Sequence, residues 1–312
     1  MQQLMHSRTK ACRFLIKMYQ MSGPRVNSLV SSKINFEAGR PFSVRCSDGA
    51  VLRCQVDGIA GAPWILFSNS HATVWSMWDD QVRSLSGNFS ILRYDQRGHG
   101  KSTATPDVTF DRLAEDIDDI FDAVSIERAA LVGVSMGAVT TLRFAARFPR
   151  RVTRVVACDG QWRSPAGASK VWDGRIATAR STGMDALAET TVARWFPKSA
   201  WRHSAARISD VQAMIRTTPI NGYVYAAMAM RSYDFRQDYP HIQLPVHFVA
   251  GACDGALLEA MRNMHAATPG STFDVIPDSG HLPPIDNPEA VNHLLARYLL
   301  AAGAERREHD RS

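Results

Sequence analysis

The chain has 312 residues, 45 % of them hydrophobic, and a formal net charge of +6 from 36 Lys+Arg against 30 Asp+Glu. That length and apolar content suit a large domain, or a domain with an inserted lobe, and exclude a disordered chain. The charge is uneven, because Arg8, Lys10, Arg13, Lys17, Arg25 and Lys33 meet no acid before Glu37. Everything after the first 36 residues is balanced, and no basic stripe with interleaved aromatics follows, so nucleic acid is not an expected partner.

No run of about 18 apolar residues exists, which excludes a spanning helix. Residues 1–40 read as a basic flexible leader, or an upstream start with initiation at Met21, in preference to an organelle transit peptide. A cytoplasmic location goes with that reading. The five cysteines (Cys12, Cys46, Cys54, Cys158, Cys253) are odd in number and lack C-x-x-C spacing, which fits a reducing compartment without a zinc site. Cys46 and Cys54 could face each other across a hairpin, although buried free thiols are preferred.

In chain order, Phe42 to Cys46 and Val51 to Val56 read as strands around the turn Ser47-Asp48-Gly49. Trp64 to Phe67 and Ser90 to Tyr94 are short buried strands, and Phe110 to Val124 carries apolar residues at helical spacing. Ala129 to Val134 is a strand, Met136 to Phe148 a helix and Val152 to Cys158 a strand. Residues 161–238 lose the rhythm, being rich in Trp and Arg with helical spacing. It resumes with a strand at Val246 to Gly251, a helix over Ala256 to Ala267, a strand at Thr272 to Ile276 and a helix from Pro288 to Leu300. Such alternation predicts an α/β fold, a mostly parallel sheet flanked by helices. The core spans 41–160 and 239–303, 161–238 is an inserted helical cap, and 304–312 is a charged tail.

The strand ending at Val132 runs into Gly133-Val134-Ser135-Met136-Gly137 and then a helix. G-x-S-x-G between strand and helix is the context of a nucleophile elbow, where a tight turn leaves no room for side chains on either flanking glycine. Ser135 at the helix N-terminus would face backbone N–H groups that favour developing negative charge. A serine hydroxyl needs a base, and the partners of such an elbow follow in the order Ser, acid, His. His281 lies after the last strand and is the expected base. The acid is Asp254, after Val249-Ala250-Gly251, with Asp159, after Cys158, as its rival. The oxyanion donors are the backbone N–H groups of Met136 and, in the loop after Phe67, His71. Arg97-Gly98-His99-Gly100 reads as a brace for the sheet edge.

These residues resemble the α/β-hydrolase superfamily and, within it, the 3-oxoadipate enol-lactonases. Ser68-Asn69-Ser70 with Met77-Trp78-Asp79 and Gln81, Arg93-Tyr94-Asp95 with Arg97-Gly98-His99-Gly100, and Gly133 to Gly137 are similar to that family's motifs. So are the cap residues Trp172, Arg175-Ile176, Arg194-Trp195-Phe196 and Gly222-Tyr223. The resemblance implies the α/β-hydrolase fold and hydrolysis of a small, carboxylate-bearing lactone in aromatic catabolism, with no metal or organic cofactor. Departures lie at the rim: the family's L-G-T is His71-Ala72-Thr73, and its S-H-L-S-N is Gly280-His281-Leu282-Pro283-Pro284. A related lactone, ester or activated amide fits as well.

Residues 161–238 hold eleven Lys+Arg and six Asp+Glu. Most of those cations belong on solvated helix faces. Arg175, one turn after Trp172, is the candidate fork for a substrate carboxylate, with Trp162 and Tyr223 as further pocket-lining candidates. Two alternatives keep the same residues: a carbon–carbon bond hydrolase of a dicarbonyl, and a hydrolase-fold ligand receptor with little turnover.

Overall fold

The computed structural model describes residues 36–309, so the expected leader lies outside the described residues as far as position 35. Eight strands make one sheet: β1 (Phe42–Arg45), β2 (Val51–Gly58), β3 (Trp64–Ser68), β4 (Ser90–Tyr94), β5 (Ala129–Val134), β6 (Val152–Cys158), β7 (Val246–Gly251) and β8 (Thr272–Ile276). Their spatial order is β1-β2-β4-β3-β5-β6-β7-β8. β2 pairs antiparallel with β1 and β4, and every other pairing is parallel. The helices are α1 (Asp79–Leu85), α2 (Phe110–Val124), α3 (Met136–Arg147), α4 (Ala168–Thr182), α5 (Met184–Trp195), α6 (Ala205–Thr217), α7 (Ile220–Arg231), α8 (Ala256–Ala267), α9 (Pro283–Asp286) and α10 (Pro288–His309).

Successive strand residues point to opposite faces, and the sheet builds two cores that way. Leu66, Leu92, Leu131, Val155 and Phe248 pack with Ile117 and Phe121 of α2, Leu142 of α3 and Met261 of α8. Ile65, Phe67, Val132, Val156 and Val249 pack on the other face with Trp78, Leu85 of α1 and Leu295 of α10. The α2 boundaries follow local chemistry: the Thr109 hydroxyl accepts the Arg112 N–H at 3.1 Å, and Ser125 ends the helix in the left-handed region. Both faces are thus covered, as the alternation of strands and helices requires.

The segment between β6 and β7 folds as four helices, with α4 against α7 and α5 against α6. Its sequence gives weak boundaries because α4 fully buries just two small residues, Ala168 and Ala179. The N-terminal end of α7 meets the loop after β4 backbone to backbone. A Cβ on Gly222 would fall 1.7 Å from the Gly98 carbonyl oxygen, so a side chain there is excluded.

The structure differs from the sequence reading at the C-terminus. The last helix continues past Leu300 to His309 through Ala- and Glu/Arg-rich sequence of high helix propensity, so residues 304–309 of the expected tail extend it, and 310–312 lie outside the described residues. No helix among the described residues is long and apolar enough to cross a membrane.

Arg97 braces the hairpin edge. Its fully buried guanidinium binds Asp116 of α2 (Nε to Oδ2, 3.0 Å) and Asp48 of the β1–β2 turn (Nη1 to Oδ2, 2.7 Å). Arg112 also reaches Asp116 Oδ1 at 3.2 Å, so the buried carboxylate is held by two guanidinium groups. Cys46, Asp116 and Asp119 cluster closely enough to hold a cation, but Arg97 and Arg112 already occupy the two carboxylates and burial keeps the Cys46 thiol protonated.

Candidate active site

The site assembles from loops at the C-terminal ends of β3, β5, β6, β7 and β8. Ser135, between β5 and α3, has φ 57° and ψ −119°, a conformation costing of order 1–3 kcal/mol for a non-glycine residue. The surroundings enforce it. Ser135 N–H donates to the Cys158 carbonyl at 2.9 Å, and its own carbonyl accepts from Ala138 and Val139 at 3.0 and 3.2 Å. The flanking glycines are required: a Cβ on Gly133 would lie 2.3 Å from the Gly137 oxygen, and one on Gly137 2.1 Å from the Ser68 oxygen.

His281 Nε2 lies 2.8 Å from Ser135 Oγ, and its Nδ1 lies 2.8 Å from Asp254 Oδ2. An ionised carboxylate only accepts, so Nδ1 carries the hydrogen and Nε2 is the bare acceptor for the serine hydroxyl. The ring is fixed from two further sides. The His281 N–H donates to the Trp195 carbonyl at 2.7 Å, and the Trp195 indole lies 5.4 Å away, tilted over the imidazole.

Asp254 rather than Asp159 meets the imidazole, so the two carboxylates weighed as rivals have different places. Asp159 accepts the Gly251 N–H at 3.0 Å, is wholly buried, and hydrogen-bonds Asp254. Burial, and the charge of Asp254 beside it, push its acid strength well down, so that Asp159 keeps its proton. A protonated Asp159 donates to Asp254. Sequence could not show this, because an ionised rival and a protonated partner have the same letter.

A residue that the sequence reading missed is Asp286 at the end of α9. Its buried carboxylate accepts the Gly280 N–H at 2.6 Å and the Ser279 hydroxyl, clamping the turn just before His281. Burial raises its pKa to about 6.

Ser135, Asp254 and His281 open onto a cavity of about 950 Å³ that His71, Trp162, Trp172, Arg175 and Tyr223 also line. Met136 is fully buried at the start of α3. Neither its N–H nor that of His71 has a backbone acceptor among the described loops and turns. The neighbouring Ala72 N–H is taken by His99 Nε2 at 2.9 Å, which holds Ala72 at φ 59°. His99 is therefore a loop brace outside the Ser135 relay.

The cations of residues 161–238 sort clearly. Three of these arginines are half-buried. Arg207 pairs with Asp80 and Arg231 with Asp173. Arg175 has no acidic partner among the described residues. Its guanidinium sits 4.7 Å from the centre of the Trp172 ring, facing the cavity, and burial lowers its affinity for its proton.

Comparison with known proteins agrees with this architecture. Residues 61–294 match the family described as the alpha/beta hydrolase family. A 3-oxoadipate enol-lactonase of Acinetobacter baylyi is 32 % identical over 257 residues, covering 80 % of this chain and 94 % of that protein. The crystal structure of an enol-lactonase from Burkholderia xenovorans superposes with a TM-score of 0.79 at 32 % identity, covering 83 % of this chain and 100 % of the other. A thermophilic esterase from Thermogutta terrifontis gives 0.78 at 26 % identity, over 84 % of this chain and 98 % of the other. With its mostly parallel eight-stranded sheet and its Ser135 elbow, the chain belongs to the alpha/beta hydrolase family and resembles the enol-lactonases within it.

Proposed function

We propose that the protein hydrolyses a small lactone or carboxylic ester bearing its own carboxylate, through an acyl-enzyme on Ser135. His281 takes the hydroxyl proton as Ser135 Oγ bonds to the carbonyl carbon. The N–H groups of Met136 and His71 hold the oxyanion, and Asp254 stabilises the imidazolium. The ring or ester C–O bond then breaks, and His281 returns the proton to the departing oxygen. Water, deprotonated by His281, attacks the acyl carbon and frees Ser135. In a lactone the departing oxygen stays tethered to the acyl chain, so only the second step releases product.

The observation that carries this reading is the relay of two 2.8 Å contacts from Ser135 through His281 to Asp254, opening on the cavity that Arg175 lines. Arg175 supplies the fork for the substrate carboxylate. The names of the relatives make 3-oxoadipate enol-lactone, an intermediate of aromatic breakdown, the first compound to try. Buried free thiols at Cys46, Cys54 and Cys158 suit a reducing cytoplasm. The test is labelling by a fluorophosphonate probe together with turnover of aryl esters and lactones. Ser135→Ala should abolish both, and a variant that still hydrolyses aryl esters at the original rate overturns the mechanism.

A further inference from the structure

The His71 side chain is not needed to donate a backbone N–H, yet the fold fixes it tightly. Its ring packs 5.2 Å from Trp172, edge to face, 4.4 Å from Tyr223 and 5.5 Å from His99. Its Nε2 lies 3.1 Å from the Tyr223 carbonyl oxygen. A carbonyl can only accept, so Nε2 carries the hydrogen. Burial first, then His99 and Arg175, press the ring toward its neutral form, with a pKa lowered to about 3. A neutral ring protonated at Nε2 has a bare lone pair at Nδ1.

That lone pair has no partner among the described residues. His99 cannot supply one, since its two nitrogens serve the Ala72 N–H and the Arg97 carbonyl. Nor is Nδ1 sealed in: it is absent from the buried polar atoms left without a partner, and His71 lines the same cavity as Ser135. Within the group His71, Trp172, Arg175 and Tyr223, it alone accepts without being able to donate.

We infer that His71 Nδ1 receives a hydrogen bond from the substrate, and that the preferred substrate is a carboxylate-bearing ester or lactone that also carries a neutral hydroxyl or N–H donor. This deepens the proposed function and rests on it. The donor is neutral because Arg175 close by repels an ammonium group. Selectivity follows from what happens without a donor. Water satisfies the lone pair in the empty site, and a ligand that displaces this water without replacing its bond leaves a buried acceptor unpaired. The family's leucine at this position, as the resemblance gives it, could not impose that demand.

The test is binding, measured by NMR titration of Ser135→Ala protein with butyrate and with 2-, 3- and 4-hydroxybutyrate. One hydroxybutyrate should bind roughly tenfold tighter than butyrate, in keeping with one neutral hydrogen bond. Ser135→Ala/His71→Leu should lose that preference, whereas Ser135→Ala/Arg175→Met should weaken all four acids together. Nitrogen NMR of histidine-labelled Ser135→Ala protein guards against misfolding of the leucine variant: the bare Nδ1 resonance of His71 should move with the favoured acid and stay with butyrate. A preference that survives His71→Leu, the lack of any preference or binding, or a protonated Nδ1 overturns the inference. Because the readout is binding without Ser135, such a result leaves the hydrolase reading standing. Absence of labelling and turnover in the wild type overturns that reading by itself.

Discussion

Arg175→Met is the most informative single change because two effects of opposite sign meet at one residue. The substitution keeps an unbranched side chain against Trp172 and removes the charge. In the empty site the guanidinium faces an aromatic ring 4.7 Å away instead of an acid, and burial works against its charge. Losing it should leave the thermal midpoint unchanged or raised. With a substrate carboxylate bound, the same group makes charge-assisted hydrogen bonds worth about 1.5–3 kcal/mol, roughly 10- to 150-fold in kcat/KM. Coulomb's law at about 4 Å and an effective dielectric near 20 gives a ceiling of about 4 kcal/mol, or roughly a thousandfold. The assay compares monomethyl and dimethyl adipate, which differ by one free carboxylate, on wild type and variant. The monoester should lose one to two orders of magnitude and the diester should change little. Equal losses on both esters, or a lowered thermal midpoint, would show that Arg175 acts by packing and not by charge.

Three further outcomes follow from the loops around the site. Asp159→Asn should retain most activity, because its amide can donate to Asp254 and its carbonyl accept the Gly251 N–H, whereas Asp159→Ala should lower kcat roughly tenfold or more by freeing Asp254; equal rates in the two variants would refute a protonated Asp159. Asp286 has a folded-state pKa of about 6 against an ordinary 3.8, so the folded chain binds that proton more tightly and its contribution is full below about pH 4 and lost as pH rises through about 6. Asp286→Asn cannot ionise, and its unfolding free energy from urea titration should gain on wild type across that window by up to about 3 kcal/mol; parallel stability curves would refute the assignment. Gly137→Ala places a Cβ 2.1 Å from the Ser68 carbonyl oxygen, and a soluble variant that keeps wild-type turnover would show the elbow to be far softer than its geometry indicates.

The core of this fold was legible because its signals are local. The strands from Ala129 to Val134 and Val152 to Cys158, and the helix from Phe110 to Val124, agree with the structure residue for residue. Short apolar runs bounded by turn residues, and a helix whose stripe is Leu113, Ile117, Ile120, Phe121 and Val124, leave little choice of period. Residues 161–238 carried helical spacing without clear boundaries. Helix α4 buries only alanines, and α5, with its stripe of Met184, Leu187, Ala188, Val192 and Trp195, begins at the same Gly183 that ends α4. At the site, Ser135 and His281 follow from motif and position. Two facts were out of reach: Asp159 meets Asp254 across neighbouring strands that are far apart in sequence, and the Asp286 carboxylate turns back to the residues preceding His281. Both are products of three-dimensional closure around buried carboxyls, whose roles depend on surroundings that spacing does not encode.

The strain in the backbone locates the site independently of any motif. Six non-glycine residues among those described have positive φ: Ala72, Asp107, Ser125, Ser135, Asp159 and Asp278. Ser125 is a helix terminus, but Ala72, Ser135 and Asp159 stand in the loops after β3, β5 and β6 and line the cavity, while Asp278 lies in the exposed turn after β8. At about 1–3 kcal/mol each, their combined cost is of the same order as the net stability of a typical domain. A chain keeps such residues where the packed sheet beneath over-determines their conformation. The parallel strands, buried on both faces, supply that rigidity, and their loops can then hold Ser135, Asp254 and His281 within hydrogen-bonding distance before any substrate arrives. Ala72 fits the same logic. It occupies a position where glycine would be unstrained, and the His99 hydrogen bond that holds it also sets the loop on which His71 presents its backbone N–H and its ring.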